Sequence, residues 1–345
     1  MADQIKVLVV DDSALARKIL TGLLESDPEI KVIGTAENGE TAIEMNNRLS
    51  PDVITLDIEM PVLDGLTALK RIIETNPKPV IMLSAYTQHG AEATFKALEL
   101  GAVDFVPKPN SKESSWADVI GEQLRTKVKS VYRSKFIMAG EVLPSEKKQR
   151  VFEKKAESQK IVGIGTSTGG PTALIHIFQN IPKNFPSSIL VVQHMPDGFT
   201  KAFSERLNAL SNLRVKEAED MDLITPGCGY VAPGDQHIFV EEIKSQRYVR
   251  LSKGEKVSGH RPSIDVLFNS LASTAGKNTI AVIMTGMGKD GAEGICKIKA
   301  AGGRTIAQDE DTSVVFGMNR VAIEKGGIHD VVPLSKIPEK IVEYI

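Results

Sequence analysis

The 345-residue chain has too few cysteines and too little apolar length for several classes of protein. Its two cysteines, Cys228 and Cys296, are too few for a disulfide framework or a zinc site built on cysteine. No apolar run approaches the roughly 20 residues that a membrane span needs, and the first residues lack a signal-peptide pattern. We therefore expect a cytoplasmic protein that does not insert directly into a membrane.

Aromatic residues are also scarce, at 5% of the chain, so the cores must rest mainly on valine, isoleucine, leucine and alanine. The formal net charge is only −2, without the positive excess of a chain-wide nucleic-acid binder. The 41% of hydrophobic and 25% of charged residues are typical of globular proteins. The length allows two domains of roughly 150 residues with a connection between them.

Residues 1–135 predict a doubly wound α/β domain with five parallel strands, because short β-branched runs alternate with stretches of helical periodicity. The predicted strands are Ile5–Val10, Lys31–Thr35, Asp52–Leu56, Val80–Leu83 and Phe105–Val106. Residues 136–159 mix charges with Gly, Pro and Ser and show no apolar stripe, so they predict a charged linker.

Residues 160–345 predict a second, Rossmann-like α/β domain with a hairpin excursion. The predicted strands are Ile161–Ile164, Ile189–Gln193, Tyr230–Ala232, His237–Glu241, Tyr248–Leu251, Thr279–Met284 and Arg304–Gln308. The segment from Tyr230 to Leu251 indicates the hairpin, because Pro233-Gly234-Asp235 separates two of its apolar runs.

Polar side chains follow the predicted strands of the first domain. Asp11 and Asp12 come after the first strand, Asp57 after the third, Ser84 after the fourth and Lys108 after the fifth. The carboxyl ends of parallel strands converge at one edge of a sheet. Three carboxylates there favour Mg²⁺, and a lysine with a hydroxyl suits a phosphoryl group transferred to a carboxylate.

The motifs VVDDS, LDIEMPVLDG, MLSA and FVPKP stand in the order typical of response-regulator receiver domains, which this part of the chain resembles. The resemblance implies a flavodoxin-like fold and phosphorylation of Asp57 by a histidine kinase. It further implies Mg²⁺ binding by Asp11, Asp12, Asp57 and the backbone of Glu59, phosphoryl contacts by Ser84 and Lys108, and an aromatic switch at Phe105.

The second domain contains a strand–turn–helix segment, Gly165-Thr166-Ser167-Thr168-Gly169, that fits the G-x-S-x-G pattern of exposed nucleophilic serines. By itself the turn also allows a dinucleotide or phosphate site, or a helix N-cap at Ser167 or Thr168. His194 and Asp290 each follow another predicted strand, so the three side chains of a Ser-His-Asp triad would meet at one sheet edge. The order Ser…His…Asp disfavours the α/β-hydrolase fold.

The motifs IGTSTGG, QHMP and MTGMGKDG, which follow the receiver and linker, are similar to those of the chemotaxis response-regulator protein-glutamate methylesterases. The resemblance implies Ser167 as nucleophile, His194 as general base and acid, Asp290 as its orienting residue, and an oxyanion hole from the backbone of Thr168 and Met287. One departure from the pattern of that family is Thr166, which stands where alanine is common in its members.

The resemblance implies a phosphorylation-activated hydrolase of glutamate methyl esters, which releases methanol and deamidates glutamines. Its partners would be the cytoplasmic helical region of methylated chemotaxis receptors and a chemotaxis histidine kinase, with no nucleic acid and no cofactor for the esterase.

Two alternatives remain for the second domain. A DNA-binding output would need a basic recognition helix, which the sequence does not suggest. A nucleotide site would need the dinucleotide glycine spacing or a P-loop lysine, and the glycine turn has neither. The other five histidines lack a strand-end position and are expected to be surface or capping residues, although the sequence also allows His237 and His260 to be neighbours of the site. They are His89, His176, His237, His260 and His329.

Overall fold

The computed structural model describes residues 4–108, 116–133 and 160–345. The chain divides into two compact units, Met1–Val142 and Leu143–Ile345, and each unit is described by itself. The segment 136–159, predicted above to be a linker, lies outside the described residues. Within the described ranges, no helix combines the length and the apolar character needed to cross a membrane.

The first unit is a five-stranded parallel sheet with helices between its strands, as predicted. The strands are β1 (Ile5–Val10), β2 (Ile30–Ala36), β3 (Val53–Asp57), β4 (Val80–Ala85) and β5 (Asp104–Lys108). The helices are α1 (Ala14–Glu25), α2 (Gly39–Leu49), α3 (Gly65–Thr75), α4 (Gln88–Glu99) and α5 (Trp116–Arg133).

The strand order β2-β1-β3-β4-β5 reverses direction between β1 and β3. This topological switch point opens a crevice at the carboxyl ends of these two strands. Asp11 directly follows β1 and Asp57 ends β3, so the sheet delivers both carboxylates to that crevice. Buried aliphatic side chains of the strands pack on α1 and α5 and hold this edge in place.

The second unit is built on a seven-stranded sheet in which every pairing is parallel. Its strands are β6 (Ile161–Thr166), β7 (Ser188–Gln193), β8 (Arg214–Glu217), β9 (Cys228–Val231), β12 (Thr279–Ile283), β13 (Arg304–Gln308) and β14 (Asp330–Val332). A separate antiparallel hairpin consists of β10 (His237–Ile243) and β11 (Gln246–Ser252). The helices are α6 (Gly170–Asn180), α7 (Phe199–Leu210), α8 (Ile264–Thr274), α9 (Ala292–Ala300), α10 (Met318–Glu324) and α11 (Ile337–Glu343).

The central strand β6 lies between β7 and β12, which belong to the two halves of the sheet. Helix α8 packs closely on β6 because glycines leave room for it. A Cβ added at Gly165 would lie 2.3 Å from Ile264, and one at Gly163 would lie 2.6 Å from Leu271. This close approach brings the N-terminus of α8 to the carboxyl end of the sheet.

The hairpin falls within the predicted segment, but its arms differ from the prediction. Tyr230 lies in β9, a strand of the main sheet, rather than in a hairpin arm. The hairpin turn is at Lys244 and Ser245, whose φ angles of 49° and 64° match the left-handed pair of a type I′ turn. The edge strands β8 and β14 were not predicted, because they are short and largely polar or only partly buried.

Candidate functional site

Ser167 stands in the sharp turn between β6 and α6 of the second unit. Its amide donates to the Thr285 carbonyl at 3.0 Å, and its own carbonyl accepts from the Gly170 amide at 2.8 Å. Gly169 has a φ of 76°, a left-handed conformation that favours glycine. Gly169 is also the N-cap of α6, so the interpretation of Ser167 or Thr168 as an N-cap is wrong. The turn leaves the Ser167 side chain half-buried at the sheet edge.

His194 follows β7 and forms a hydrogen bond with Asp290, which lies in the loop between β12 and α9. The His194 Nε2 to Asp290 Oδ2 distance is 2.8 Å, and the two side chains are 8% and 1% exposed. Because Nε2 donates to a carboxylate, Nδ1 is the acceptor nitrogen of the neutral ring. Nδ1 is buried and has no hydrogen-bond partner among the described residues, so it is available to a hydroxyl donor.

The Asp290 carboxylate sits at the N-terminus of α8. Its Oδ1 accepts from the Ser263 hydroxyl at 2.7 Å and from the Asp265 amide at 3.1 Å, while its Oδ2 accepts from the Ile264 amide at 2.7 Å. Burial alone would raise the pKa of Asp290, but the hydrogen bonds from His194, Ile264 and Ser263 outweigh it and hold the pKa below its usual range. The carboxylate is therefore charged when it faces His194.

Gln193, the residue before His194, links the His194 segment to the turn that contains Ser167. Its side-chain amide nitrogen donates to the Ser167 carbonyl at 2.9 Å and to the His194 carbonyl at 3.0 Å. The His194 amide in turn donates to the Thr166 carbonyl at 3.1 Å. The ends of β6 and β7 are thereby fixed to one another immediately beside the two functional side chains.

The backbone at Gly286 packs directly against Ser167. A Cβ added at Gly286 would lie 2.8 Å from the Ser167 Cβ and 2.3 Å from Met318 Cε. This approach brings the chain that leads into Met287 alongside Ser167, and Thr168, the residue after Ser167, is buried. The structure thus brings both residues predicted for the oxyanion hole to the neighbourhood of Ser167.

The hydroxyl of Thr166 is buried and donates to the Thr285 carbonyl at 3.0 Å, the same carbonyl that accepts from the Ser167 amide. This hydroxyl therefore joins the ends of β6 and β12.

Two histidines that were expected to be surface or capping residues belong to the surroundings of the site. His260 stacks on His194, with ring centroids 3.7 Å apart and an interplanar angle of 9°. His237 is buried, accepts from the Ser263 amide at Nδ1 and bonds the Glu255 carbonyl through Nε2. The surface or capping interpretation is wrong for both, and the alternative of a neighbour of the site applies. Neither follows a strand of the sheet, so only the tertiary fold brings them near Asp290 and His194.

In the first unit, the carboxylates of Asp11, Asp12 and Asp57 form one cluster, with ligand atoms within 4.8 Å of one another. The Lys108 ammonium bridges two of them, at 2.6 Å from Asp11 Oδ2 and 2.7 Å from Asp57 Oδ2. Arg17 donates to the backbone carbonyls of Asp11 and Asp12 and holds their loop. A cluster of hard oxygen donors is the ligand set that Mg²⁺ prefers.

Burial and the neighbouring carboxylates control the charge of this cluster. Burial is the largest effect on Asp57 and raises its pKa to about 6, although the Lys108 ammonium acts in the opposite direction. Burial would lower the pKa of Lys108, but Asp57 and Asp11 outweigh it and raise that pKa above its ordinary value. The lysine therefore remains a cation beside the carboxylates.

The remaining predicted residues of the first unit lie around the cluster. The Ser84 hydroxyl, at the end of β4, donates to the Gly90 carbonyl at 2.9 Å and accepts from Thr94 at 2.6 Å, so it is directed toward α4 in this structure. Phe105 is buried and packs edge-on against Phe95 of α4, with centroids 6.4 Å apart. Glu59 is exposed, two residues beyond Asp57.

Comparison with known proteins assigns both units. Residues 7–118 match the family model described as response regulator receiver domain, and residues 162–341 match the one described as CheB methylesterase. A protein-glutamate methylesterase/protein-glutamine glutaminase 2 of Shewanella sp. (strain MR-4) is 47% identical over 345 residues, which are 99% of this chain and 98% of the relative. The chain belongs to the CheB methylesterase family.

A second full-length relative and a solved structure of the catalytic domain support the same family. A protein-glutamate methylesterase/protein-glutamine glutaminase of Pyrococcus horikoshii is 46% identical over 348 residues, covering 100% of this chain and 95% of the relative. The crystal structure of the Thermotoga maritima CheB methylesterase catalytic domain matches with 49% identity and a TM-score of 0.53, covering 54% of this chain and 98% of that one. The predicted family, fold class and hydrolase activity are confirmed, and the DNA-binding alternative finds no support.

Proposed function

We propose that this CheB-family chain is a phosphorylation-activated enzyme of chemotaxis adaptation that hydrolyses glutamate methyl esters and deamidates glutamines, with Ser167, His194 and Asp290 as its catalytic triad. The observation that best supports the triad is the 2.8 Å contact between His194 and Asp290, which leaves His194 Nδ1 without a partner among the described residues. Strands β6, β7 and β12, which precede the three residues, are adjacent in one sheet.

The mechanism follows from the chemistry of these groups. Ser167 Oγ attacks the ester carbonyl carbon while His194 Nδ1 takes the hydroxyl proton, and the charged Asp290 stabilises the imidazolium. The tetrahedral intermediate collapses when His194 returns the proton to the leaving oxygen, and methanol departs. Water then attacks the acyl-enzyme, with His194 again as base, and restores Ser167. A primary amide follows the same path and releases ammonia.

The negative oxygen of the tetrahedral intermediate requires preorganised donors. We assign this role to the backbone amides of Thr168 and Met287. The proposal is supported by the packing of Gly286 against the Ser167 Cβ and by the position of Thr168 next to the nucleophile.

For the first unit we propose Asp57 as the phosphoacceptor, with Asp11, Asp12, Asp57 and the Glu59 carbonyl holding Mg²⁺. The ion would offset the charge of the transferring phosphoryl group. Lys108 already bridges Asp11 and Asp57 and is suited to hold a phosphoryl oxygen. Two further roles are predictions, namely a phosphoryl contact by Ser84 and an aromatic switch by Phe105.

The proposed partners follow from this function. The substrate is the cytoplasmic helical region of methylated chemotaxis receptors, and the phosphodonor is the chemotaxis histidine kinase. The protein would accordingly act in the cytoplasm, without nucleic acid and without direct membrane insertion, and its esterase site would use no cofactor.

The triad is tested by methanol release from methylated receptor membranes. Ser167→Ala should lower the rate by a factor on the order of 10⁶, which is typical when a nucleophilic serine is removed. Ser273→Ala, which changes an exposed serine of α8, should leave the rate unchanged. A Ser167→Ala rate within tenfold of wild type would exclude Ser167 as the nucleophile.

Regulation is tested in the full chain with acetyl phosphate and Mg²⁺. Asp57→Asn should keep the basal esterase rate and lose its stimulation, whereas Asp52→Asn, which alters a carboxylate bonded to the Lys6 amide, should retain both. Stimulation of the Asp57→Asn chain would show that the phosphoacceptor lies elsewhere.

A further inference from the structure

His260 lies face to face with the proposed catalytic base. The two imidazole rings are 3.7 Å apart between centroids and inclined by only 9°, so they overlap as a parallel stack. The hydrogen bond that His194 Nε2 donates to Asp290 holds one edge of the ring, and it leaves the inclination of the ring plane less strictly defined than a second contact would. A parallel neighbour restricts that inclination because it fixes the plane of the ring.

The backbone before His260 forms a tight turn that presents this ring. Val257 and His260 exchange both backbone hydrogen bonds, with N···O distances of 3.1 Å and 2.9 Å. Between them, Ser258 and Gly259 have φ angles of 53° and 83°. Two consecutive left-handed residues between a bonded pair are the signature of a type I′ turn. The position of His260 is thus set by a defined turn.

The residue after His260 is anchored as well. Arg261 donates from Nε and Nη2 to Asp235 Oδ1, at 2.9 Å and 2.5 Å, and from Nη1 to the carbonyls of Lys253 and Gly254. The guanidinium fork fixes geometry more strictly than a single contact does. His260 is therefore restrained on both sides along the chain, while residues 253–259 are exposed.

Burial and the neighbouring charged groups together keep the ring of His260 neutral. Burial is the largest effect and lowers the pKa of His260 to about 4, the neighbouring His194 and Lys256 act in the same direction, and Asp290 opposes them. At neutral pH an uncharged ring therefore covers His194 when His194 accepts the serine proton. A protonated neighbour would instead repel the imidazolium.

We propose that His260 is a positioning residue for catalysis, which acts through its stack on His194 by holding the imidazole plane in which Nδ1 is directed toward Ser167. This inference rests on the proposed role of His194 as the base. Misplacement of a reacting group by about 1 Å can cost roughly 10²-fold in rate. Loss of the stack should therefore affect turnover more than substrate binding.

The test compares three variants of the full chain in the methanol-release assay at pH 7.5, below their unfolding temperatures. His260→Ala removes the stack and should lower kcat about 10- to 100-fold with KM within twofold. His260→Phe restores a flat, uncharged ring and should bring kcat back to within about threefold of wild type, because stacking is retained. His176→Ala changes a half-buried histidine in the middle of α6 and should leave kcat unchanged.

His194→Ala, measured beside them, separates this inference from the proposed function. If His194→Ala retains activity, the base is wrong and both proposals fall. If His194→Ala is inactive while His260→Ala keeps kcat within twofold of wild type, only the role of His260 is refuted. The same holds if His260→Phe is as slow as His260→Ala, or if the whole loss lies in KM.

Discussion

Asp290→Asn is the substitution whose outcome the structure determines in most detail. Each carboxylate oxygen of Asp290 accepts two hydrogen bonds: Oδ1 from the Ser263 hydroxyl and the Asp265 amide, Oδ2 from the Ile264 amide and His194. Asparagine replaces one oxygen by an NH₂ group, which donates and does not accept. The result therefore depends on which oxygen position the NH₂ group occupies.

The surrounding donors favour one orientation. At the Oδ2 position the NH₂ group would oppose both the Ile264 amide and the His194 ring N–H. At the Oδ1 position it would oppose the Asp265 amide alone, because the Ser263 hydroxyl can rotate and become an acceptor. A buried donor left without a partner costs about 1–3 kcal/mol, so the second orientation is preferred. In a unit of this size the loss corresponds to a fall in Tm of roughly 2–12 °C.

The preferred orientation keeps an oxygen facing His194, so His194 keeps its tautomer and only the negative charge is lost. A hydrogen bond to a charged group is worth about 1.5–3 kcal/mol, and each 1.4 kcal/mol is about tenfold in rate. We therefore expect kcat to fall roughly 10- to 100-fold. A triad asparagine that forces the wrong tautomer costs about 10⁴.

The assay is methanol release with Ser167→Ala as the inactive reference. Asp222→Asn is the control, because the Asp222 carboxylate accepts from Lys216 and the Glu219 amide instead of from His194. A loss of 10⁴ or more in Asp290→Asn would refute the orientation argued above, and a loss below threefold would exclude Asp290 as the partner that stabilises the charged base.

Four further substitutions have defined outcomes. Thr166→Ala removes one buried hydrogen bond to a carbonyl that still accepts from Ser167, so thermal unfolding should show a loss of about 1 kcal/mol with kcat within threefold. A Cβ at Gly65 would lie 1.9 Å from the Asp57 carbonyl oxygen. Gly65→Ala should therefore lower the free energy of unfolding by about 3 kcal/mol or more and reduce phosphorylation by acetyl phosphate. The control Gly22→Ala, with open space around it, should stabilise α1 by up to about 1 kcal/mol. The pKa of His260 falls to about 4 on folding, so between pH 6.5 and 4 the unfolded chain binds a proton at this ring that the folded chain does not. The free energy of unfolding of the wild type should therefore decrease by on the order of 2 kcal/mol from pH 7 to 4.5. His260→Phe should lack this part of the drop in denaturant titrations, and an unchanged pH dependence would contradict a neutral buried His260.

The strands and the positions of Ser167, His194 and Asp290 at one sheet edge could be predicted from the sequence because both depend on local features. A β-branched run followed by a polar residue marks the carboxyl end of a buried strand, and parallel strands align these ends at one edge. Ser167 and His194 directly follow such a run, and Asp290 lies in the loop after another. In the first unit Asp11 follows a run and Asp57 ends one. No knowledge of side-chain contacts is needed to place them together.

The residues around the triad could not be predicted in this way. His260 and Ser263 follow no strand of the sheet, and they reach His194 and Asp290 only because α8 packs on the glycines of β6. The available local signal was Ser258-Gly259 before His260, a pair suited to a tight turn. That signal predicts the turn but gives no indication of what the ring beyond it contacts.

Asp57 and Asp290 show why burial alone does not determine what a carboxylate can do. Both are largely buried, and burial is the largest effect on the pKa of each. Asp290 accepts from two amides, a hydroxyl and His194, and its pKa is lowered, which favours a negative charge beside His194. Asp57 accepts from one amide and Lys108 with a second carboxylate nearby, and its pKa rises to about 6. An additional cation at the Asp57 cluster would act against that rise. This is a physical reason for pairing the proposed nucleophilic carboxylate with the proposed Mg²⁺ site, whereas the carboxylate proposed to orient His194 lies at a helix N-terminus.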